Sequence, residues 1–90
     1  MTNHYILYGT SACHLCEDAE EIIQAINKNK EINYIFLDIS ENDDLLETFG
    51  LMIPVLACNS TSEQLHWPFN EDALIAFINR TSSRGNKKAG

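Results

Sequence analysis

An α/β fold of the order β-α-β-α-β-β-α, with a four-stranded mixed sheet and helices on both faces, is predicted for this 90-residue chain by three observations. Two short apolar runs, His4 to Tyr8 and Ile32 to Ile39, bracket one amphipathic helical stripe, which is the signature of a βαβ unit with parallel strands and a right-handed crossover. A second pair of short apolar runs, from Pro54 and from Glu63, is separated only by the turn-forming stretch Asn59 to Ser62, which reads as a hairpin. A capped amphipathic segment follows them.

The first strand, His4-Tyr5-Ile6-Leu7-Tyr8, is apolar throughout and is expected to be buried on both faces. After the loop Gly9 to Ala12, the first helix is expected over roughly residues 13–29. Leu15, Ala19, Ile22 and Ile26 repeat there at i, i+4, i+7 and i+11. Acids crowd its first turns, and Lys28 and Lys30 lie near its end, which suits the helix macrodipole. The run Ile32 to Ile39 has the near-continuous apolar character of a buried parallel strand. Ser40, with Asp43 three residues on, resembles a capping box for a second helix whose apolar face is Leu45, Leu46 and Phe49, with Gly50 as its C′ residue. The third strand is expected over Pro54 to Cys58 and the fourth over Glu63 to Trp67. Asn70 caps a last helix over Glu71 to Asn79, with Ala73, Leu74, Phe77 and Ile78 facing the core.

Size and composition fit one small domain, assigned to residues 1–80, that must build an economical core. The net charge of −7 is unevenly spread. Arg80, Arg84, Lys87 and Lys88 fall in the last residues, whereas residues 1–79 hold Lys28 and Lys30 against all 13 acids, so that stretch carries −11. So acidic a body repels nucleic acid phosphates and anionic membranes, and neither is an expected partner. The segment 81–90 is polar and basic with no apolar period, and a disordered tail is expected there. No basic leader with a cleavage site is evident, and no apolar run reaches the ~18 residues of a membrane span. Three cysteines are too few for a stapled secreted scaffold, so a reducing, cytoplasmic setting and a monomeric state are expected.

The chemistry is concentrated in Thr10-Ser11-Ala12-Cys13-His14-Leu15-Cys16. Two thiols in C-x-x-C spacing at a helix N-terminus can form a reversible disulfide. The helix end supplies partial positive charge and free N–H groups that favour a thiolate. A free thiol has a pKa near 8.5. Protonated His14 would lower it, while Glu17 and Asp18 would raise it, so a moderate depression is expected. The competing reading is half of a zinc site. Zinc wants four ligands, and only Cys58 and the scattered His4, His14 and His66 remain. An iron–sulfur cluster shared between two chains is a further alternative. No metal site and no cofactor are expected. Cys58 reads as a small buried hydrophobe, Trp67 and Phe69 as packing residues, and His4 and His66 as surface residues. The helix acids read as a solvated face that could also steer basic partners.

Three motifs in order, Thr10 to Cys16, Ile53-Pro54-Val55-Leu56 and Trp67-Pro68-Phe69, resemble those of a small glutaredoxin-like family with the thioredoxin fold, over about residues 4–79. The resemblance implies thiol–disulfide oxidoreductase activity, with Cys13 as the exposed nucleophile and Cys16 as the resolving thiol. It also implies a cis-Pro54 facing the thiols, whose neighbouring backbone pairs with an extended protein or small-molecule thiol substrate. The expected substrate-contacting residues are His14, Leu15, Ile53 and Pro54. The chain departs from ordinary glutaredoxins in lacking Cys-Pro-Tyr-Cys, a basic residue before the motif, and a Gly-Gly-x-Asp element near the last helix. These departures argue against glutathione as the partner. A non-catalytic binding module on the same fold and a metal or iron–sulfur module are the alternative functions.

Overall fold

The computed structural model describes residues 4–28 and 32–87, with side chains through Thr81. Its elements are β1 (His4–Gly9), α1 (His14–Asn27), β2 (Asn33–Asp38), α2 (Asp43–Phe49), β3 (Val55–Cys58), β4 (Gln64–His66) and α3 (Glu71–Lys87). The order matches the β-α-β-α-β-β-α expectation. The four strands form one sheet in the order β2-β1-β3-β4. β1 and β2 are parallel, and β3 runs antiparallel to both β1 and β4.

The alternation of side chains along β1 divides the core in two. Tyr5 and Leu7 point to one face with Leu56 and Cys58 of β3, and there they meet Ala19, Ile23 and Ile26 of α1 and Leu74, Phe77 and Ile78 of α3. Tyr8 and Val55 point to the other face, where Ile39, Phe49, Leu45 and Ile53 close a smaller cluster under α2. Tyr8 stacks on Phe49 with ring centroids 4.4 Å apart. Trp67 and Phe69 pack edge to face against the larger cluster, in the packing role expected of them.

Several local expectations need correction. β1 is not sealed on both faces: Tyr5, Leu7 and Gly9 are buried, while Ile6 and Tyr8 are only half-buried. β2 is not a buried strand but the sheet edge. The seven-residue α2 covers only one end of its face, so Ile35 is 60% exposed. The buried stripe of α1 is Cys16, Ala19, Ile23 and Ile26; Leu15 faces outward and Ile22 lies at the margin. The helix ends at Asn27 with Lys28 as its C-cap, and residues 29–31 lie outside the described residues. Asn42, not Ser40, caps α2: its Oδ1 accepts from Leu45 N at 3.0 Å. Ser40 N is taken instead by the Asp38 carboxylate at 2.9 Å, a local turn that removes Ser40 from competition. Gly50 is the α2 C-cap in right-handed conformation, rather than a left-handed C′ residue.

The last helix differs most. Asn70 Oδ1 accepts from Ala73 N as a cap should. The helix then continues past Asn79 to Lys87, through the position where a disordered tail was expected to begin. Thr81 is fully buried. Its hydroxyl donates back to the Phe77 and Ile78 carbonyls, at 2.9 and 3.1 Å, and meets the Tyr5 hydroxyl at 2.6 Å. A polar residue at the end of the apolar stripe is thus satisfied in the core, where composition alone reads as solvent-facing. Residues 88–90 lie outside the described residues. No helix among the described residues is long and apolar enough to cross a membrane.

Candidate functional site

Strand direction gathers the chemistry at one end of the sheet. β1 and β2 are parallel, so their C-termini lie together, and Gly9 pairs with Asp38. β3 is antiparallel with Tyr8 opposite Val55, so Pro54, just before β3, continues the ladder beside Gly9. β4 returns to the same end, with His66 opposite Val55. The loops that follow β1, β2 and β4, and the loop that precedes β3, therefore share one pole of the molecule. All three helices begin there.

Cys13 and Cys16 sit at this pole, paired as a disulfide with Cα atoms 5.2 Å apart. Cys13 is the N-cap of α1. Its backbone is extended (φ −99°, ψ 113°), which turns its sulfur back over the first turn to accept from Cys16 N at 3.1 Å. Its carbonyl accepts from Glu17 N at 3.2 Å, and its own N–H donates to Thr10 O at 3.3 Å. The donor to Sγ and the helix N-terminus both favour negative charge on Cys13 once the disulfide opens. The two sulfurs differ in access: Cys13 is half-buried, whereas Cys16 is 1% exposed. One lies at the helix mouth and the other beneath it, on the core-facing stripe.

Two further residues build the site, and the sequence reading passed over both. Gly9 closes β1 against the disulfide. A Cβ there would lie 2.7 Å from Cys16 Sγ and 3.1 Å from Phe36 Cζ, so only glycine lets the strand end approach the buried sulfur. Its signal in the sequence is a glycine at a strand terminus four residues before the first cysteine. Asp38 faces the same loop. The backbone and hydroxyl of Ser40, with a smaller contribution from the Ser11 backbone, hold its carboxyl below the ordinary aspartate value of 3.8, against slight desolvation.

The other expected site residues lie at this pole to differing degrees of access. His14 is 95% exposed, with Nδ1 3.7 Å from Glu17 Oε1, an ion pair only when the ring is protonated. Leu15 is 47% exposed. Ile53 is half-buried in the α2 cluster, and Pro54 is buried, joined to Ile53 by a cis peptide bond. The Trp67–Pro68 bond is also cis.

Cys58 lies at the opposite pole, buried as expected, with its sulfur 3.5 Å from Ser60 Oγ. Burial is the largest single influence and pushes its thiol up. Side-chain and backbone hydrogen bonds from Ser60 and Thr61 together outweigh it, and the net shift is downward. An open groove of about 460 Å³, lined in part by His4, Tyr34, Ile35 and Asn59, also belongs to that pole. It holds none of the thiol-pole residues. Among the described residues, no three His, Cys, Asp or Glu side chains come together to hold a metal ion.

Residues 4–79 match the model of the glutaredoxin-like domain (DUF836). The chain is similar to a structural-genomics target protein from X. campestris, with 30% identity, a TM-score of 0.70, and coverage of 84% of this chain and 96% of that one. It is also similar to protein Ne2328 of Nitrosomonas europaea, at 23% identity and a TM-score of 0.75 over 87% and 93% of the two chains. Thioredoxin 1 of Thermosipho africanus, at 20% identity and a TM-score of 0.67 over 92% and 98%, shares the fold. Among curated proteins, none matches the chain. A four-stranded mixed sheet with helices on both faces, a helix-opening cysteine pair and a family match across the whole sheet agree: this chain belongs to the glutaredoxin-like domain family and has the thioredoxin fold.

Proposed function

We propose that this chain is a thiol–disulfide oxidoreductase working through a Cys13/Cys16 dithiol–disulfide couple. The observation that carries the reading is the asymmetry of the pair: a half-buried N-cap sulfur held by a backbone N–H, and a partner sulfur sealed beneath it. In the reduced protein, Cys13 thiolate attacks one sulfur of a substrate disulfide. The substrate S–S bond breaks, the first substrate thiolate leaves and takes up a proton, and a mixed disulfide remains on Cys13. Cys16 thiolate then attacks Cys13 Sγ and expels the second substrate thiolate, which is protonated in turn. Two electrons pass to the substrate, and the Cys13–Cys16 disulfide is regenerated. A dithiol reductant resets it by the reverse exchange.

His14, Leu15, Ile53 and Pro54 are proposed to contact the substrate, with the backbone beside Pro54 taking an extended thiol-bearing segment. Glutathione fits the pole poorly. It is anionic, and no Lys or Arg lies in residues 9–18, 38–55 or 66–72 to receive its carboxylates. A dithiol protein reductant in a cytoplasmic setting is the matching partner. The test is trapping with the Cys16→Ser chain. It should accumulate a mixed disulfide on Cys13 with a disulfide-bearing peptide, and the Cys13→Ser chain should not. A mixed disulfide formed instead on Cys16 of the Cys13→Ser chain would reverse the assignment. No adduct on either would leave a binding module without redox work.

A further inference from the structure

The thiol pole has a surface character that selects a substrate class. We propose that it docks a cationic polypeptide whose disulfide is flanked by apolar side chains; this rests on the redox reading above and specifies its substrate.

The first observation is exposed apolar surface at the pole that holds the disulfide. Leu51 is fully exposed and Met52 is 37% exposed, in the loop that leads to Ile53 and Pro54. Leu15, between the two cysteines, is 47% exposed. Neither Leu51 nor Met52 belongs to the α2 cluster, although Ile53 beside them does. The loop is tied at its base, where Met52 N and Ile53 N both donate to Phe49 O, at 2.8 and 3.1 Å. Its apolar side chains are therefore held outward on a fixed backbone.

Charge identifies the occupant. Each helix opens at this pole with acids in or beside its first turn: Glu17 and Asp18, Asp43 and Asp44, Glu71 and Asp72. Such acids ordinarily complement the helix macrodipole, and these do. A helix N-terminus carries only about half a positive charge, however, against two full negative charges on each helix here. The remainder is uncompensated, because the described cations lie elsewhere. Lys28 caps the far end of α1, and Arg80, well along α3, bonds Glu63 Oε1 at 2.8 Å at the far end of β4. The field at the disulfide is therefore negative, with apolar side chains set inside it. A partner bringing Lys or Arg and an apolar side chain next to its own cysteine satisfies both features. An anionic thiol satisfies neither.

The experiment uses the full reduced chain and three symmetrical peptide disulfides with blocked ends, built on Arg-Leu-Cys-Leu-Arg, Glu-Leu-Cys-Leu-Glu and Arg-Ser-Cys-Ser-Arg. Each rate is divided by the rate of the same peptide with uncharged dithiothreitol, which removes intrinsic reactivity. The Arg-Leu peptide should outpace the Glu-Leu peptide by about 10-fold or more at low ionic strength. The ratio should collapse toward one when salt shortens the screening length to about 3 Å. The double variant Leu51→Ser, Met52→Ser should lose several-fold in rate on the Arg-Leu peptide and nothing on the Arg-Ser peptide. Equal rates for the two charges, a salt-independent ratio, or equal loss on both cationic peptides would overturn the proposal. If the Cys13–Cys16 couple cycles with dithiothreitol while these orderings fail, only the substrate assignment falls. If the couple does not cycle, the redox reading falls and this inference with it.

Discussion

At the scale of single residues, the disulfide is shaped as much by what is missing beside it as by the cysteines. Gly9 has no Cβ because Cys16 Sγ occupies the space. In a Gly9→Ala chain the sulfur and Phe36 must give way together, at a cost of about 1–3 kcal/mol for overpacking a filled site. The cost should be larger in the oxidised state, where Cys16 is tethered, than in the reduced state, where its sulfur can rotate. Gly9→Ala should therefore be less stable in urea and more easily reduced, by about 20 mV for each ~1 kcal/mol of difference between the states. An unchanged potential would show that the close approach does not bear on the couple. Asp38 makes a pH-dependent contribution of known sign. Its folded pKa is lowered, so the stability it adds is fully present above the unfolded value of 3.8 and is lost as pH falls through the folded value. Urea titrations from pH 7 down to about 3 should find that the native chain loses stability in that acid window more steeply than Asp38→Asn. Parallel pH profiles would contradict the assignment. Cys13, Cys16 and Pro54 were legible in the sequence because spacing and motif carry them. Gly9 and Asp38 were not, because their roles depend on where the ends of β1 and β2 meet.

At the scale of elements, the helix phase distinguishes the observed core from the expected one. The apolar period of α1 reads as a stripe through Leu15, Ala19, Ile22 and Ile26. The structure instead buries Cys16, Ala19, Ile23 and Ile26, because the second cysteine belongs to the core-facing stripe and treating the motif as surface chemistry hides that. Ile23→Ala should cost about 2–4 kcal/mol by emptying a fully buried site, whereas Leu15→Ala should cost within about 0.5 kcal/mol. Comparable losses in thermal or urea unfolding would contradict the phase. The same reasoning explains β2. An apolar run reads as a buried strand, but burial also needs an element above it, and α2 is too short to reach Ile35. Element existence and order follow from local pattern. Edge position and the continuation of α3 past Asn79 depend on tertiary partners such as Tyr5, and the cap at Asn42 on the local Asp38–Ser40 turn, neither of which the apolar pattern shows.

At the scale of the whole molecule, topology and charge are one arrangement. Every strand and helix junction that matters for the thiols is brought to one pole by the register of β1 with β2 and β3. All helix N-termini, and the acids that complement them, are brought there too. The described cations Lys28 and Arg80 lie away from it, at the C-terminal end of α1 and along α3. The Cys13–Cys16 pair thus stands at the mouth of α1, at the pole where the acids of each helix start gather, with Cys58 as a separate buried thiol at the opposite pole. The proposed function requires that Cys13 and Cys16 form a reversible couple that excludes Cys58. The most direct measurement equilibrates the full chain across a range of reduced-to-oxidised dithiothreitol ratios, quenches with an alkylating agent under denaturing conditions, and maps each cysteine by mass spectrometry. One reversible two-electron transition is expected, in which Cys13 and Cys16 change together while Cys58 is alkylated at every ratio. A pairing that includes Cys58, or a Cys13–Cys16 pair that shows no reversible transition, would contradict it.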